Sequence, residues 1–455
     1  MARKVLLTIL SSFLAILVFP PFQLFFLAPV AWIPLFLALK GASLRASFRI
    51  GLLHGFLCFA GTLCWMFVLF GTLAPVLWLM LACFTALFGV AFHFLEKFQL
   101  KGSPLTLATL WTGIEYYRSE LFILDFPWIT PGTGLPPNLL TPVIGVYGVS
   151  FFLVLTGLLL IQQLDSRPER PRWKPTAVFL LFWVLMGSQI PKIHKPTYLV
   201  ALIQNEEYLL DTHLEMSEPH AGNVDAIVWP EYAVAYDPSV HPRGKEITEL
   251  LKENTQLLVL GGRRDQEDSH ENTSFTLGKE GLLGTHVKNH PVHLFDDGIA
   301  GTTAIPIDTP LGKVGTPICF DCDYQDVIRR MTANGAEFFL IPSLDAIAWT
   351  ERQHLQHAEL FRHRAAENGR WLAVAATSGQ TQIISPSGHQ TETLPLIEKG
   401  TLVGGITPRS TLTLFTMGGW LIGPICFSLT LLSIPLLVIA LSRQRKFRSL
   451  ESASS

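Results

Sequence analysis

The sequence predicts a polytopic α-helical membrane domain of about eight spans joined to an extracytoplasmic α/β domain. Three observations predict it. Of 455 residues, 49% are hydrophobic and only 15% are charged, and the mean hydropathy is +0.36. That apolar excess is too large for an ordinary soluble chain. Seven apolar stretches precede a polar segment from Lys195 to Arg409, and one follows it. Lys and Arg also collect in every alternate connection between the stretches. The net charge of −2 supplies no basic field for nucleic acid.

The expected spans are residues 5–19, 22–39, 50–70, 74–94, 104–120, 139–163, 175–191 and 415–441. Pro20-Pro21 separates the first two and makes a tight hairpin of them. The first stretch has no small-residue cleavage site and further spans follow it, so it reads as a helix rather than a signal peptide. Arg3 and Lys4 precede the first span, and Lys40, Arg45 and Arg49 lie between the second and third. Lys97 and Lys101 separate the fourth and fifth, Arg167, Arg170, Arg172 and Lys174 the sixth and seventh, and Arg443, Arg445, Lys446 and Arg448 follow the last. Basic connections face the cytoplasm. Both chain ends are therefore expected inside and the polar segment outside. The expected domains are a membrane domain at 1–194 with seven helices, an outer domain at 195–409, a final span at 410–442 and a cytoplasmic tail at 443–455, disordered after Arg448.

The outer segment alternates short apolar runs with helical stretches. Thr197–Gln204, Ala226–Trp229, Gln256–Gly261, Gly312–Cys319, Phe338–Pro342 and Trp371–Ala376 read as strands, and Thr350–Asn368 as a helix. Runs of that length without polar alternation belong to a buried sheet.

Three residues in this segment carry acyl-transfer chemistry. Cys319 follows the apolar run Val314–Ile318, Glu231 follows Ile227-Val228-Trp229-Pro230, and Lys288 lies in His-Val-Lys-Asn-His. A strand end holds a nucleophile rigidly at a cleft, and a thiol needs a base to become reactive. Glu231 would take the thiol proton and return it to a leaving group, while Lys288, with a backbone N–H near Phe320, would face the oxyanion. Taken singly, each has an ordinary structural reading as a buried Cys, a turn or a surface charge. A site of this kind held against a bilayer points to a lipid substrate.

Cys58, Cys64, Cys83 and Cys426 lie in apolar stretches, where Cys acts as a small hydrophobe. Cys319 and Cys322 form a C-x-x-C without a second pair, which argues against zinc, and Cys322 is expected to stay apart from Cys319. His286, His290 and His293, with His354, His357 and His363, show no recognised ligand order, so no metal and no cofactor is expected. Arg362 and Arg364 are expected to pair within the domain. Glu115 and Arg118, one turn apart, read as a mutual ion pair, and Phe126-Pro127-Trp128 as an interfacial aromatic anchor.

The ordered Glu231, Lys288 and Cys319 resemble the site of the nitrilase (carbon–nitrogen hydrolase) superfamily. With the membrane helices, nearly the whole chain resembles the bacterial apolipoprotein N-acyltransferase family. The resemblance rests on Pro20-Pro21-Phe22, Trp65, Trp111 with Glu115 and Arg118, Phe126-Pro127-Trp128 and Gly145-Val-Tyr-Gly148-Val-Ser150. In the outer segment it rests on Leu202-Ile-Gln204-Asn205, Val228-Trp-Pro-Glu231, Lys288-Asn-His290 and Ile318-Cys319-Phe320. It continues through Ser343, Asp345, Gln356-His357, Arg362, Arg364 and Glu367. It implies an αββα nitrilase-like sandwich on the periplasmic side of a bacterial inner membrane. The implied reaction is ping-pong: a phospholipid gives its acyl chain to Cys319, and the α-amine of a diacylglyceryl-cysteine lipoprotein takes it. An amidase or acyltransferase with another substrate is the alternative reading, and an inactive scaffold a third. The resemblance makes Phe320, Asp321, Asp296 and His357 supporting residues. Phe295-Asp296 stands where the family has Gly-Glu, and Asp321 where it has Glu. Leu344-Asp345-Ala-Ile347-Ala348 replaces Asn-Asp-Ala-Trp-Phe and loses an aromatic that would face substrate.

Overall fold

Twelve described strands arrange in two six-stranded sheets, ordered β12-β1-β2-β3-β4-β5 and β11-β10-β9-β8-β7-β6. The computed structural model describes residues 1–97, 103–164, 195–252 and 254–435, with 439 and 442. The first sheet is built from β1 (Tyr198–Gln204), β2 (Ala226–Val228), β3 (Leu257–Asp265), β4 (His270–Gly278), β5 (Gly281–Val287) and β12 (Gly400–Ile406). The second contains β6 (Ile307–Thr309), β7 (Gly312–Gly315), β8 (Phe338–Ser343), β9 (Leu372–Ala376), β10 (Gln382–Ile384) and β11 (Gln390–Thr393). β1, β2 and β3 pair in parallel, as do β7, β8 and β9, with antiparallel strands at the flanks.

The layering follows from the two-residue period of a strand. Val200 and Leu202 of β1 point between the sheets and pack with Val228, Val259, Leu340 and Ala375. Ala201 and Ile203 point the other way, into a cluster with Trp229, Ile247 and Leu210, the last on helix α7 (Leu210–Ser217). Phe339 and Ile341 of β8 meet Val327 and Met331 of α8 (Asp326–Ala333) and Phe361 of α9 (Glu351–Asn368). The result is an αββα sandwich. The parallel strands are apolar on both faces because both faces are covered.

The N-terminal region is helical: α1 (Ala2–Val18), α2 (Ile33–Leu39), α3 (Leu44–Thr62), α4 (Ala74–Lys97), α5 (Ser103–Tyr116) and α6 (Thr141–Leu164). Two described helices, Met66–Lys97 and Thr141–Gln163, are long and apolar enough to cross a membrane; Phe25–Leu39 and Gly419–Pro435 are shorter apolar helices. Several expected spans are interrupted. The stretch 22–39 divides into a 3-10 turn (Phe25–Leu27), Ala28–Ala31 and α2, because Pro29 and Pro34 remove backbone donors. The stretch 50–70 ends at Thr62 and resumes as Met66–Phe70. The expected span at 175–191 and the tail at 443–455 lie outside the described residues.

The bundle has two distinct ends. At one, Lys4 Nζ donates to the Lys40 carbonyl at 2.6 Å and the Gly41 N–H donates to Glu96 Oε2 at 2.8 Å. The start of α1, the connection before α3 and the end of α4 therefore meet on one side. At the other end the outer domain docks. Arg352 of α9 donates to the Gly61 carbonyl at 2.8 Å, and the Val146 N–H at the Gly145 break in α6 donates to Glu367 of α9 at 2.8 Å.

Candidate active site

The carboxyl ends of β2, β7 and β8 converge, and the loops leaving them carry the candidate chemistry, as in open parallel sheets generally. β2 stops at Val228, and Glu231 lies three residues beyond it, followed by Tyr232 at φ +53°. The Glu231 N–H donates to the Ser343 carbonyl at 3.4 Å, tying the end of one sheet to the other. Gly261 of β3 passes directly behind: a Cβ there would lie 2.5 Å from Glu231 Cα and 2.9 Å from the Pro230 carbonyl oxygen.

Cys319 departs from its expected placement at a strand end. β7 ends at Gly315, Pro317 interrupts it, and Cys319 opens a 3-10 turn, Cys319–Cys322, with φ +46°. A non-glycine residue held in the left-handed region is strained and needs support. Asp321 supplies it from within the turn, accepting from the Ile318 N–H at 3.0 Å. Asp321 also accepts from the Asn289 and His290 N–H groups at 2.8 and 2.9 Å and from His286 Nε2 at 2.8 Å. One buried carboxylate thus fixes the cysteine turn against the lysine loop. Burial favours its neutral form, but His286 and the other donors outweigh that and hold Asp321 below the usual carboxylate range.

Lys288 follows β5 and is 1% exposed. Its Nζ donates to Glu231 Oε1 at 2.8 Å and to Asp297 Oδ2 at 2.7 Å. Burial would lower the ammonium pKa, yet the two carboxylates outweigh it and keep Lys288 charged. The carboxylates themselves diverge. Asp297 also accepts from Asn272 Nδ2 at 2.8 Å and the Val292 N–H at 2.8 Å, so Lys288 and these donors offset its burial and lower its pKa. Burial dominates at Glu231 and raises its pKa, although Lys288 and Asn272 oppose the rise. Its Oε1 takes the bonds from Lys288 and Asn272, and Oε2 has no hydrogen-bond partner. Asp297 is then the standing counter-ion, and Glu231 the carboxylate able to exchange a proton.

The Cys319 thiol is buried and donates to the Leu344 carbonyl at 3.4 Å. Burial, then the Glu231 charge, pushes its pKa well up, with Lys288 pulling the other way. Cys319 therefore rests as a thiol. Cys322 turns away into the apolar cluster of Val327, Ile328 and Met331, and both sulfurs are free.

His357 lies beneath this turn. Its Nδ1 donates to Asp345 Oδ1 at 2.8 Å, its Nε2 lies 3.2 Å from Asp323 Oδ1, and its ring stacks on Trp128 at 5.8 Å. Burial alone would lower the imidazole pKa, but Asp345 and Asp323 outweigh it and raise the pKa to about 10. Phe320 packs edge-on against Tyr324 at 5.3 Å.

An apolar cavity with about 820 Å³ of empty space reaches Cys319. Its walls come from both parts of the molecule: Trp65, Leu77, Met80 and Trp128 from the N-terminal region, Phe295 and Trp349 from the outer domain. Phe295 bridges the two, 5.9 Å from the Phe70 ring and 5.6 Å from Trp349. Trp349 supplies the aromatic surface that the Ile347-Ala348 replacement was expected to lose.

Sequence reasoning placed one acid wrongly. The Asp296 side chain is 93% exposed, and its neighbour Asp297 binds Lys288. Leu294 at φ +69° turns the chain between the lysine and the acidic pair, so counting from Lys288 does not reveal which Asp faces inward. Asn272, in the middle of β4, carried no signal at all. The histidines find separate partners: His290 bonds Asp326, His293 bonds Asp125, and His354 bonds the Ala346 carbonyl. Arg362 pairs with Glu359 at 2.6 Å and Arg364 with Glu367 at 3.1 Å. Glu115 and Arg118 interact electrostatically, and each also has a hydrogen-bond partner of its own: Glu115 accepts from Trp111 Nε1 at 2.9 Å and Arg118 donates to the Trp128 carbonyl at 3.0 Å.

Residues 199–412 match the carbon-nitrogen hydrolase family model, which gives the class of the outer domain: a nitrilase-like α/β sandwich. Residues 11–159 match the model of the apolipoprotein N-acyltransferase N-terminal domain. Two similar relatives bear the name apolipoprotein N-acyltransferase. One, from Geobacter metallireducens, is 27% identical over 89% of this chain and 89% of its own. The other, from Photobacterium profundum, is 26% identical over 98% and 96%. The solved structure of Saccharomyces cerevisiae Nit3, of the nitrilase superfamily, covers 48% of this chain and 93% of its own at 19% identity and a TM-score of 0.41, too loose to carry weight. In both matched regions the chain is similar to the apolipoprotein N-acyltransferase family.

Proposed function

We propose that this protein moves an acyl chain from a membrane phospholipid, through a thioester on Cys319, to the N-terminal amine of a diacylglyceryl-cysteine lipoprotein. The observation that carries the reading is the apolar cavity shared by the helical region and the outer domain, which opens onto the one candidate thiol. The two family-model matches support the acyl transfer, and the relatives' name supports the lipoprotein acceptor.

In the first half, Cys319 Sγ bonds the carbonyl carbon of the phospholipid ester as its proton passes to Glu231. The oxyanion develops beside the Lys288 ammonium, where a fixed charge in a dry site acts strongly. The C–O bond to glycerol then breaks, and Glu231 returns the proton to the leaving alcohol, releasing a lysophospholipid. In the second half the lipoprotein amine bonds the thioester carbon, Glu231 takes the amine proton, and it passes that proton to sulfur as the C–S bond breaks, restoring the thiol. Phe295 and Trp349 cover the cavity and would keep water from the thioester between halves.

The reading includes about eight spans, with the domains at 1–194, 195–409, 410–442 and 443–455, in a bacterial inner membrane. The outer domain is periplasmic and both chain ends are cytoplasmic. The meeting of Lys4, Lys40 and Glu96 at the end of the bundle opposite the outer domain supports this orientation. Intact mass after incubation with phospholipid tests the chemistry: wild type gains one hydroxylamine-labile acyl group and Cys319→Ala gains none. A folded wild type that gains none with any phospholipid overturns the proposal.

A further inference from the structure

Gln356 occupies a position on α9 that the reaction itself does not use. It is 4% exposed, and both ends of its amide bond the N-terminal helical region. Its Oε1 accepts from Trp65 Nε1 at 2.9 Å, and its Nε2 donates to the Thr62 carbonyl at 2.9 Å and the Pro20 carbonyl at 3.2 Å. The orientation follows from chemistry: an indole N–H only donates and a backbone carbonyl only accepts, so the amide fits in one sense. Thr62 ends α3, Pro20 turns the chain after α1, and Trp65 is part of the cavity wall. One outer-domain side chain thus holds two helix ends and a cavity indole together.

Trp65 does not stand alone in that wall. Its ring lies 5.4 Å from that of Trp128, tilted by 51°. Trp128 is held in the same manner, donating from Nε1 to Asp323 Oδ2 at 2.6 Å. Asp323 adjoins the cysteine turn and contacts His357, so altering it disturbs the reacting centre as well. Gln356 separates the two effects.

We propose that Gln356 is a positioning residue for the acyl donor: it fixes the Trp65 indole in the cavity wall and so sets donor affinity without touching the reacting atoms. The inference rests on the cavity being the donor site, as proposed above. Without the amide, the indole N–H and two buried carbonyls lose their partners. The Trp65 ring is then free to rotate into the cavity, and donor binding carries the loss. Glutamate is no substitute, because a carboxylate would face the two carbonyl oxygens.

The test compares wild type with Gln356→Met and Trp65→Phe, full length in lipid nanodiscs. Cys319 acylation is followed by intact mass against phospholipid content, alongside reaction with a water-soluble ester, p-nitrophenyl butyrate. In both variants the half-saturating phospholipid level rises about tenfold, and in Gln356→Met the saturating rate and the soluble-ester rate stay within about twofold of wild type. The double variant is no worse than the more affected single one, because both remove the same interaction. Unchanged donor dependence in both single variants overturns the inference, and so does a parallel loss of the soluble-ester reaction. A wild type that reacts with the soluble ester and with no phospholipid overturns the donor reading instead.

Discussion

At the residue scale, one ammonium serves two carboxylates, and the surplus bonds on Asp297 leave Glu231 the more easily protonated of the two. Because burial holds Cys319 as a thiol, its reactivity depends on proton transfer rather than on a standing thiolate. Glu231→Gln should therefore slow iodoacetamide alkylation of Cys319 near neutral pH by at least about tenfold, read by peptide mass. An unchanged rate would remove Glu231 as the base. His357 makes a second prediction. Its folded pKa is raised from 6.5 to about 10, so the folded protein keeps a proton that the unfolded chain releases above about 6.5. The stabilisation is complete below that pH and is lost as pH rises towards 10. Thermal melts in detergent should show His357→Gln destabilised at pH 6, on the order of a few kcal/mol, with the difference from wild type narrowing as pH approaches 10. A difference that is constant or grows with pH would mean the imidazole is neutral in the fold. Glu231, Lys288 and Cys319 were legible as residue types in order. Asp297 was not, because a turn with positive φ at Leu294 decides which of two adjacent acids faces inward.

At the element scale, Leu77, Met80 and Leu81 recur at helical spacing on α4 and present one face to the cavity. Leu77→Trp should shorten the longest acyl chain accepted, measured by mass with competing phospholipids of graded chain length, and leave the soluble-ester reaction unchanged. The same chain-length profile as wild type would place the acyl chain elsewhere. Strands β1, β2, β3, β8 and β9 were readable because both of their faces are covered and their runs are continuously apolar. β4 was not. Asn272, Thr273, Ser274 and Thr276 are fully buried there and leave the segment without a continuous apolar run, yet β4 pairs with β3 over nine residues and carries Asn272 to Glu231. Gly312–Cys319 read as one strand, but Pro317 ends the ladder early and frees the chain to make the strained turn that presents the thiol.

At the scale of the whole molecule, Lys4, Lys40 and Glu96 meet at one end of the helical bundle and the outer domain docks at the other. In a background lacking Cys64 and Cys83, a membrane-impermeant maleimide should label Ser239→Cys on intact spheroplasts and Ser43→Cys only after permeabilisation. The reverse pattern would invert the topology. The sequence by itself determined the two-part plan, the buried parallel strands and the ordered Glu231, Lys288 and Cys319, because hydropathy, charge bias and apolar runs are local properties of the chain. Only the tertiary structure decided that Asp297 rather than Asp296 meets Lys288, that Asn272 reaches Glu231, and that Gln356 and Asp323 hold Trp65 and Trp128. It also decided that Trp111 and the Trp128 carbonyl are the hydrogen-bond partners of Glu115 and Arg118. These contacts join residues distant in the chain, and buried polar groups take whichever partner packing brings within reach, which no local pattern records.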